Sequence, residues 1–128
     1  MFGDEKLFGQ RTQILDGDHN RLALCVETKR EPGEILVLIK DENKQVFRLY
    51  SANTITKLYD ELNEKILNAK TMEEINFYKD RVIELSKTII RKPKVDTSGR
   101  VVLGSDFDGV EKVNVIGACD HLILELKK

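Results

Sequence analysis

The chain has 128 residues, 41% of them apolar and 34% charged, with 21 Lys and Arg against 22 Asp and Glu. That length supports one domain with a real hydrophobic core and excludes most large catalytic scaffolds, and the composition excludes intrinsic disorder. A formal charge of −1 lacks the global basic excess usual in nucleic-acid binders, so any such function has to come from local patches. There is no run of about 18 apolar residues, and the start (Met1, Phe2, Gly3, Asp4, Glu5, Lys6) is too polar for a secretory signal, so the sequence predicts a cytoplasmic protein that does not span a membrane. Cys25 and Cys119 are too few for a disulfide framework and are expected as small buried side chains.

In chain order, a polar turn ending Asp16-Gly17-Asp18-His19-Asn20-Arg21 leads into Leu22-Ala23-Leu24. Glu31-Pro32-Gly33-Glu34 carries Pro and Gly where a type II turn needs them, ahead of the apolar strand Ile35 to Ile39. Gln45 to Tyr50 follows Asp41-Glu42-Asn43-Lys44 and completes a hairpin. The apolar period then changes from two to 3.6: Ile55, Leu58, Tyr59, Leu62 and Ile66 mark a helix with one buried face, capped at Ser51 or Asn53. Thr71-Met72-Glu73-Glu74 is a capping box opening a second helix, whose stripe is Met72, Ile75, Tyr78, Val82, Leu85 and Ile89 and which Pro93 ends. Strands at Val101 to Leu103, Val113 to Ile116 and Leu122 to Leu126 follow the two helices.

The two ends of the chain resemble each other. Asp96-Thr97-Ser98-Gly99-Arg100 runs into Val101-Val102-Leu103, then a Gly-bounded turn (Gly104 to Gly109) and a strand pair, as Asp16 to Leu24 and its followers do. Neither copy has enough strands to bury its own apolar face, so the duplication predicts one shared core. The expected organisation is a single α+β domain over 1–128, with a first repeat at about 8–68 and a second at about 71–128. It is expected as a pseudo-symmetric small β-barrel with a pair of helices between the copies.

The stretch Val95-Asp96-Thr97-Ser98-Gly99-Arg100-Val101-Val102-Leu103, with Gly109-Val110-Glu111-Lys112-Val113-Asn114-Val115-Ile116-Gly117-Ala118-Cys119-Asp120-His121 after it, resembles the MraZ family. These are bacterial regulators of the division and cell-wall gene cluster, related to AbrB-type swapped-hairpin DNA-binding domains, and their mark is an Asp-x-x-x-Arg motif that occurs twice. The resemblance implies a tandem AbrB-like fold, binding of double-stranded DNA through the two motif turns, nucleoid association and ring-like homo-oligomers. Asp96 and Arg100 fit the motif. In the first copy Asp16 and Arg21 are one residue further apart and Asn20 stands at the glycine position; Cys25 in the first copy and Gly104 in the second replace the prolines that usually close the motif strands. Asn is the non-Gly residue that best tolerates a left-handed turn.

The basic residues support the same function locally. Between Lys87 and Arg100 lie five cations (Lys87, Arg91, Lys92, Lys94, Arg100) against the single acid Asp96, and Lys29, Arg30, Arg11 and Arg21 join them if the repeat is symmetric. Candidate DNA-binding residues are therefore Arg100, Arg21, Lys94, Lys92, Arg11, Lys29 and Arg30, and the motif turns are Asp96 with Gly99 and Asp16 with Asn20. Asp96 is expected to accept backbone hydrogen bonds in its turn, Gly99 to supply φ > 0, and Arg100 to reach a guanine edge or a phosphate. The competing role for Arg100 is an ion pair with Asp96 that staples the turn.

Other patterns carry less. Val101 to Val110 mimics the nucleophile strand of haloacid-dehalogenase-type phosphatases, but only 18 residues follow, so the match is a turn. The EF-hand spacing fails. Cys25, Cys119, His19 and His121 have ligand types without the close ligand pairs of zinc sites. The sequence thus reads as a transcriptional regulator that binds DNA as an oligomer, with no enzymatic activity, no cofactor or metal, and no small-molecule substrate. The alternative is a structural or protein-interaction module that kept the duplicated barrel and lost DNA binding.

Overall fold

The computed structural model describes residues 7–17, 20–24, 31–41 and 46–127. Its elements are β1 (Gln10–Ile14), β2 (Arg21–Ala23), β3 (Leu36–Lys40), β4 (Val46–Ser51), α1 (Ala52–Asn68), α2 (Met72–Thr88), β5 (Ile89–Arg91), β6 (Arg100–Val102), a 3-10 turn at Ser105–Phe107, β7 (Lys112–Gly117) and β8 (His121–Lys127). All strand pairings are antiparallel. Six strands form one sheet in the order β1-β7-β8-β4-β3-β5, and β2 pairs with β6 as a separate two-stranded ribbon. The chain is thus α+β with two helices; among the described residues the strands do not close into a hydrogen-bonded barrel.

The sheet order reads the same from both ends if β1, β7 and β8 are matched to β5, β3 and β4. A pseudo-twofold relation therefore passes between β4 and β8, and the ribbon obeys it too. Leu22 sits opposite Val101, Leu24 N–H donates to the Gly99 carbonyl, and Leu103 N–H donates to the Asn20 carbonyl, both at 3.0 Å. The ribbon is clamped at both edges, because Gln13 Nε2 donates to the Ala23 carbonyl (2.9 Å) and Arg91 Nε to the Val102 carbonyl (3.1 Å).

Alternation along the strands sorts side chains to two faces. Leu36 and Leu38 of β3, Phe47 and Leu49 of β4, Val113 and Val115 of β7, and Leu122 and Leu124 of β8 join Leu22, Leu24, Val101, Leu103 and Phe107 in one core between sheet and ribbon. The opposite face of β3 carries Val37 and Ile39, which pack with Ile55, Leu58, Tyr59 and Leu85 of the helices. Both copies contribute to the first core, which suits their size.

The helix ends obey local chemistry. Ser51 Oγ accepts from Thr54 N–H (3.1 Å), and Thr71 Oγ1 accepts from Glu74 N–H (3.1 Å) while the Glu74 carboxylate takes the Lys70 N–H (3.2 Å). Three expectations are corrected. Met72 is 69% exposed, because the tip of the helical pair lies beyond the sheet, and α2 buries no residue fully. Ile89 leaves the helix to start β5, where pairing with Ile39 satisfies its backbone before Pro93 is reached. Cys119 is exposed in the β7–β8 turn with φ of 70°, rather than buried. Cys25 lies outside the described residues. Among the described residues no helix is long and apolar enough to cross a membrane.

Candidate nucleic-acid interface

The second motif turn is built around one carboxylate. Asp96 Oδ1 accepts from Ser98 N–H (2.8 Å) and from Arg100 N–H (2.9 Å). The Asp96 carbonyl accepts from Gly99 N–H (3.0 Å), and Gly99 takes φ of 75°, where a side chain would be strained. These are the roles expected from the Asp-x-x-x-Arg spacing. The first turn reaches a similar exit by another route: Asp16 and Arg21 exchange two backbone hydrogen bonds of 2.9 Å, and Asn20 adopts φ of 55° in place of glycine. Asn20 also uses its side chain, donating from Nδ2 to the Gly104 carbonyl (2.9 Å) and to Asp108 Oδ1 (2.8 Å), which ties the first turn to the second copy.

Because Leu22 and Val101 are buried, alternation turns their neighbours Arg21, Ala23, Arg100 and Val102 to the ribbon's other face, where all four are partly exposed. Arg21 and Arg100 are thereby brought together although 79 positions separate them in the sequence. Arg100 is engaged with two acids, and Arg21 lies close enough to Asp96 to act on its carboxyl. Arg100 Nη1 lies 3.8 Å from Asp16 and Arg100 Nε 3.8 Å from Asp96, and its buried Nε makes no hydrogen bond. The Asp16–Arg100 contact crosses between the copies.

The Asp96 carboxyl is held below the ordinary carboxylate range. The Arg100 N–H contributes most; modest burial opposes it, and the Ser98 N–H and the guanidiniums of Arg100 and Arg21 add to the lowering. A depressed value means that its stabilisation is complete above the unfolded-state value near 4 and is lost as the pH falls through the folded-state value. Asp96→Asn is accordingly expected to melt lower than the wild type at pH 7 and to show a flatter decline of melting temperature below about pH 4. Thermal melts from pH 2 to 7 check this; superimposable curves would exclude the role of the charge.

The other candidate residues are less concentrated. Lys92 and Lys94 are exposed on the segment joining β5 to the second turn, with Lys94 bridged through its backbone to Ile35. Arg11 is on β1, where it lines a cavity of about 290 Å³ with Phe8, Gln13, Leu22 and Leu24. Lys29, Arg30 and His19 lie outside the described residues. His121 serves the sheet: Arg48 Nη1 donates to its Nε2 (3.0 Å), so its Nδ1–H faces Asp120 (2.8 Å), and Tyr50 stacks on its ring at 4.3 Å. Among the described residues no group of three His, Cys, Asp or Glu side chains could hold a metal ion.

Sequence reading missed Gln13, Arg91 and Asp108 as supports of the ribbon and its turns. Arg91 was visible as part of the basic run, but its contact with the Val102 carbonyl depends on a pairing no local pattern announces. No protein-family model matches the chain, and neither does any curated protein.

Proposed function

We propose that the chain is a DNA-binding regulator of the kind its resemblance to MraZ implies, with a tandem AbrB-like arrangement, acting as a cytoplasmic, nucleoid-associated oligomer that binds and performs no chemistry. The observation that carries this reading is the convergence of the two motif copies on one ribbon, with Arg21 and Arg100 side by side on its outer face. Guanidiniums on a rigid frame suit guanine edges and phosphates, which they bind with two parallel donors. Lys92 and Lys94 supply exposed charge for the backbone. A near-neutral protein gains affinity by engaging several heads at once, and the helical pair leaves Leu67, Met72, Phe77 and Ile83 exposed, apolar side chains available to contacts between chains.

The test is a fluorescence-anisotropy titration of labelled duplex from just upstream of the protein's own gene at 50 and 200 mM salt, with sedimentation of the same samples. Binding that weakens steeply with salt is expected from a protein sedimenting larger than one chain. Lys94→Ala is expected to lower affinity for all duplexes alike and to flatten the logarithmic salt slope by about one unit. Absence of binding at 50 mM salt would reject the reading.

The placement of Arg100 between Asp16 and Asp96 favours a second reading, an interaction module whose arginines only staple the turns. Arg100→Ala separates the two. A DNA-reading arginine loses affinity with the fold kept, whereas a staple loses melting temperature with the affinity of the folded fraction unchanged.

A further inference from the structure

The ribbon has a symmetry that the two motif copies do not show in sequence. Its centre is the Leu22–Val101 pair, and rotation by 180° about an axis through that pair exchanges Leu24 N–H to Gly99 with Leu103 N–H to Asn20. It also exchanges the side-chain clamp of Gln13 on Ala23 with that of Arg91 on Val102. On the outer face the same rotation carries Arg21 onto Arg100 and Ala23 onto Val102. Arg21 stands opposite Val102 and Arg100 opposite Ala23, so the arginines are diagonal neighbours, with Cα atoms about 7–8 Å apart. That is roughly two base steps of 3.4 Å.

Resting on the DNA-binding reading above, we propose that a single chain reads a short DNA element of approximate inverted symmetry, its ribbon dyad lying on the dyad of the duplex and Arg21 and Arg100 reading opposite strands. The major groove admits a two-stranded antiparallel ribbon. DNA strands are themselves related by local twofold axes, so two arginines presented by a twofold meet equivalent base edges only where the sequence inverts about its centre. The clamps at both ribbon edges hold this arrangement before DNA arrives.

The two halves are chemically unequal, which sets the form of the element. The second motif is preceded by the exposed cations Lys92 and Lys94, whereas Ile14, 64% exposed, precedes the first. The first turn is also one residue longer. Before the first turn the candidate cation is Arg11, further back on β1, so the half-site under Arg100, with two lysines beside its turn, gains the larger share of phosphate contacts and is the stronger half.

Selection of the full chain against a pool of random-sequence duplexes, followed by sequencing, tests the proposal. The expected consensus approximates its own reverse complement about a centre within a block of a few base pairs, with one half better defined. Arg21→Ala is expected to relax preference in the weaker half and Arg100→Ala in the stronger, each lowering affinity about 5- to 150-fold. Arg100→Lys, which keeps the charge near Asp16 and Asp96 but loses the bidentate fork, replaces Arg100→Ala if that variant fails to fold. An enriched element that lacks inverted symmetry within itself, whether it occurs once or is repeated along the duplex as the several heads of an oligomer would repeat it, or half-sites inverted only across a helical turn of about 10 base pairs, the mark of two separate heads, would overturn the dyad while leaving DNA binding in place. A pool that is bound but not enriched overturns it equally, and a pool not bound at 50 mM salt overturns the functional reading with it.

Discussion

Replacing Phe107 with Ala is expected to remove about 3–5 kcal/mol of stability, the usual cost of deleting a buried aromatic ring. Phe107 is fully buried, and its ring centroid lies 4.5 Å from that of Phe47, so the 3-10 turn of the second copy is anchored directly on β4 of the first. Against a total of about 5–15 kcal/mol for a domain, this loss is a large fraction. It also reaches the motif turns, because Asp108, which holds Asn20, follows Phe107 directly. Urea denaturation measures it. Phe107→Leu keeps most of the volume and is expected to cost less. Equal and small losses for both variants would show that Phe107 does not join the copies.

Gly117→Ala is the second large effect, and its cause is steric. A Cβ at Gly117 would lie 2.6 Å from the Phe8 nitrogen, 2.7 Å from the Leu7 carbonyl carbon and 2.8 Å from that of Phe8. These are backbone atoms that no rotamer change can move aside, and they are held by Gly117 N–H to the Gly9 carbonyl (2.8 Å) and by the two hydrogen bonds between Leu7 and Cys119. Forcing them apart is expected to cost about 1–3 kcal/mol as overpacking and to strip the start of β1 from β7. Gly109→Ala is the control. Nothing lies within 4 Å of its added carbon, and its φ of 78° leaves only the left-handed strain of about 1–2 kcal/mol. Hydrogen exchange separates the two, since only Gly117→Ala is expected to speed exchange at the Gly117 amide. Unchanged melting and exchange in Gly117→Ala would contradict the close approach.

What local chemistry dictates was legible in the residues. The type II turn at Glu31 to Glu34 forms, with Gly33 at φ of 86° and Glu34 N–H bound to the Glu31 carbonyl. Both helices start at a hydroxyl cap, Ser51 and Thr71. The Asp96 turn makes the hydrogen bonds its spacing demands, and Asn20 takes the left-handed conformation in place of glycine. Each is set within four or five residues, where hydrogen-bond reach and allowed φ suffice to decide the outcome.

The periodic stripe of α2 was legible, but which of its residues would be covered was not, since burial depends on how far the sheet extends beneath the helix. Met72 therefore carries a core pattern at an exposed position. β5 was hidden for a related reason, as Ile89 falls in step with the apolar stripe of α2 and only pairing with β3 makes Ile89 to Arg91 a strand.

The candidate site is the clearest division. The sequence by itself determined that two Asp-to-Arg turns exist, and that each feeds a short apolar strand. Tertiary structure alone decided that these strands pair with each other, that Arg100 reaches Asp16 of the other copy, and that Gln13 and Arg91 clamp the ribbon edges. A three-residue strand encodes no partner. Its partner is chosen by the shared burial of Leu22 and Val101, a free energy that neither copy can gain alone.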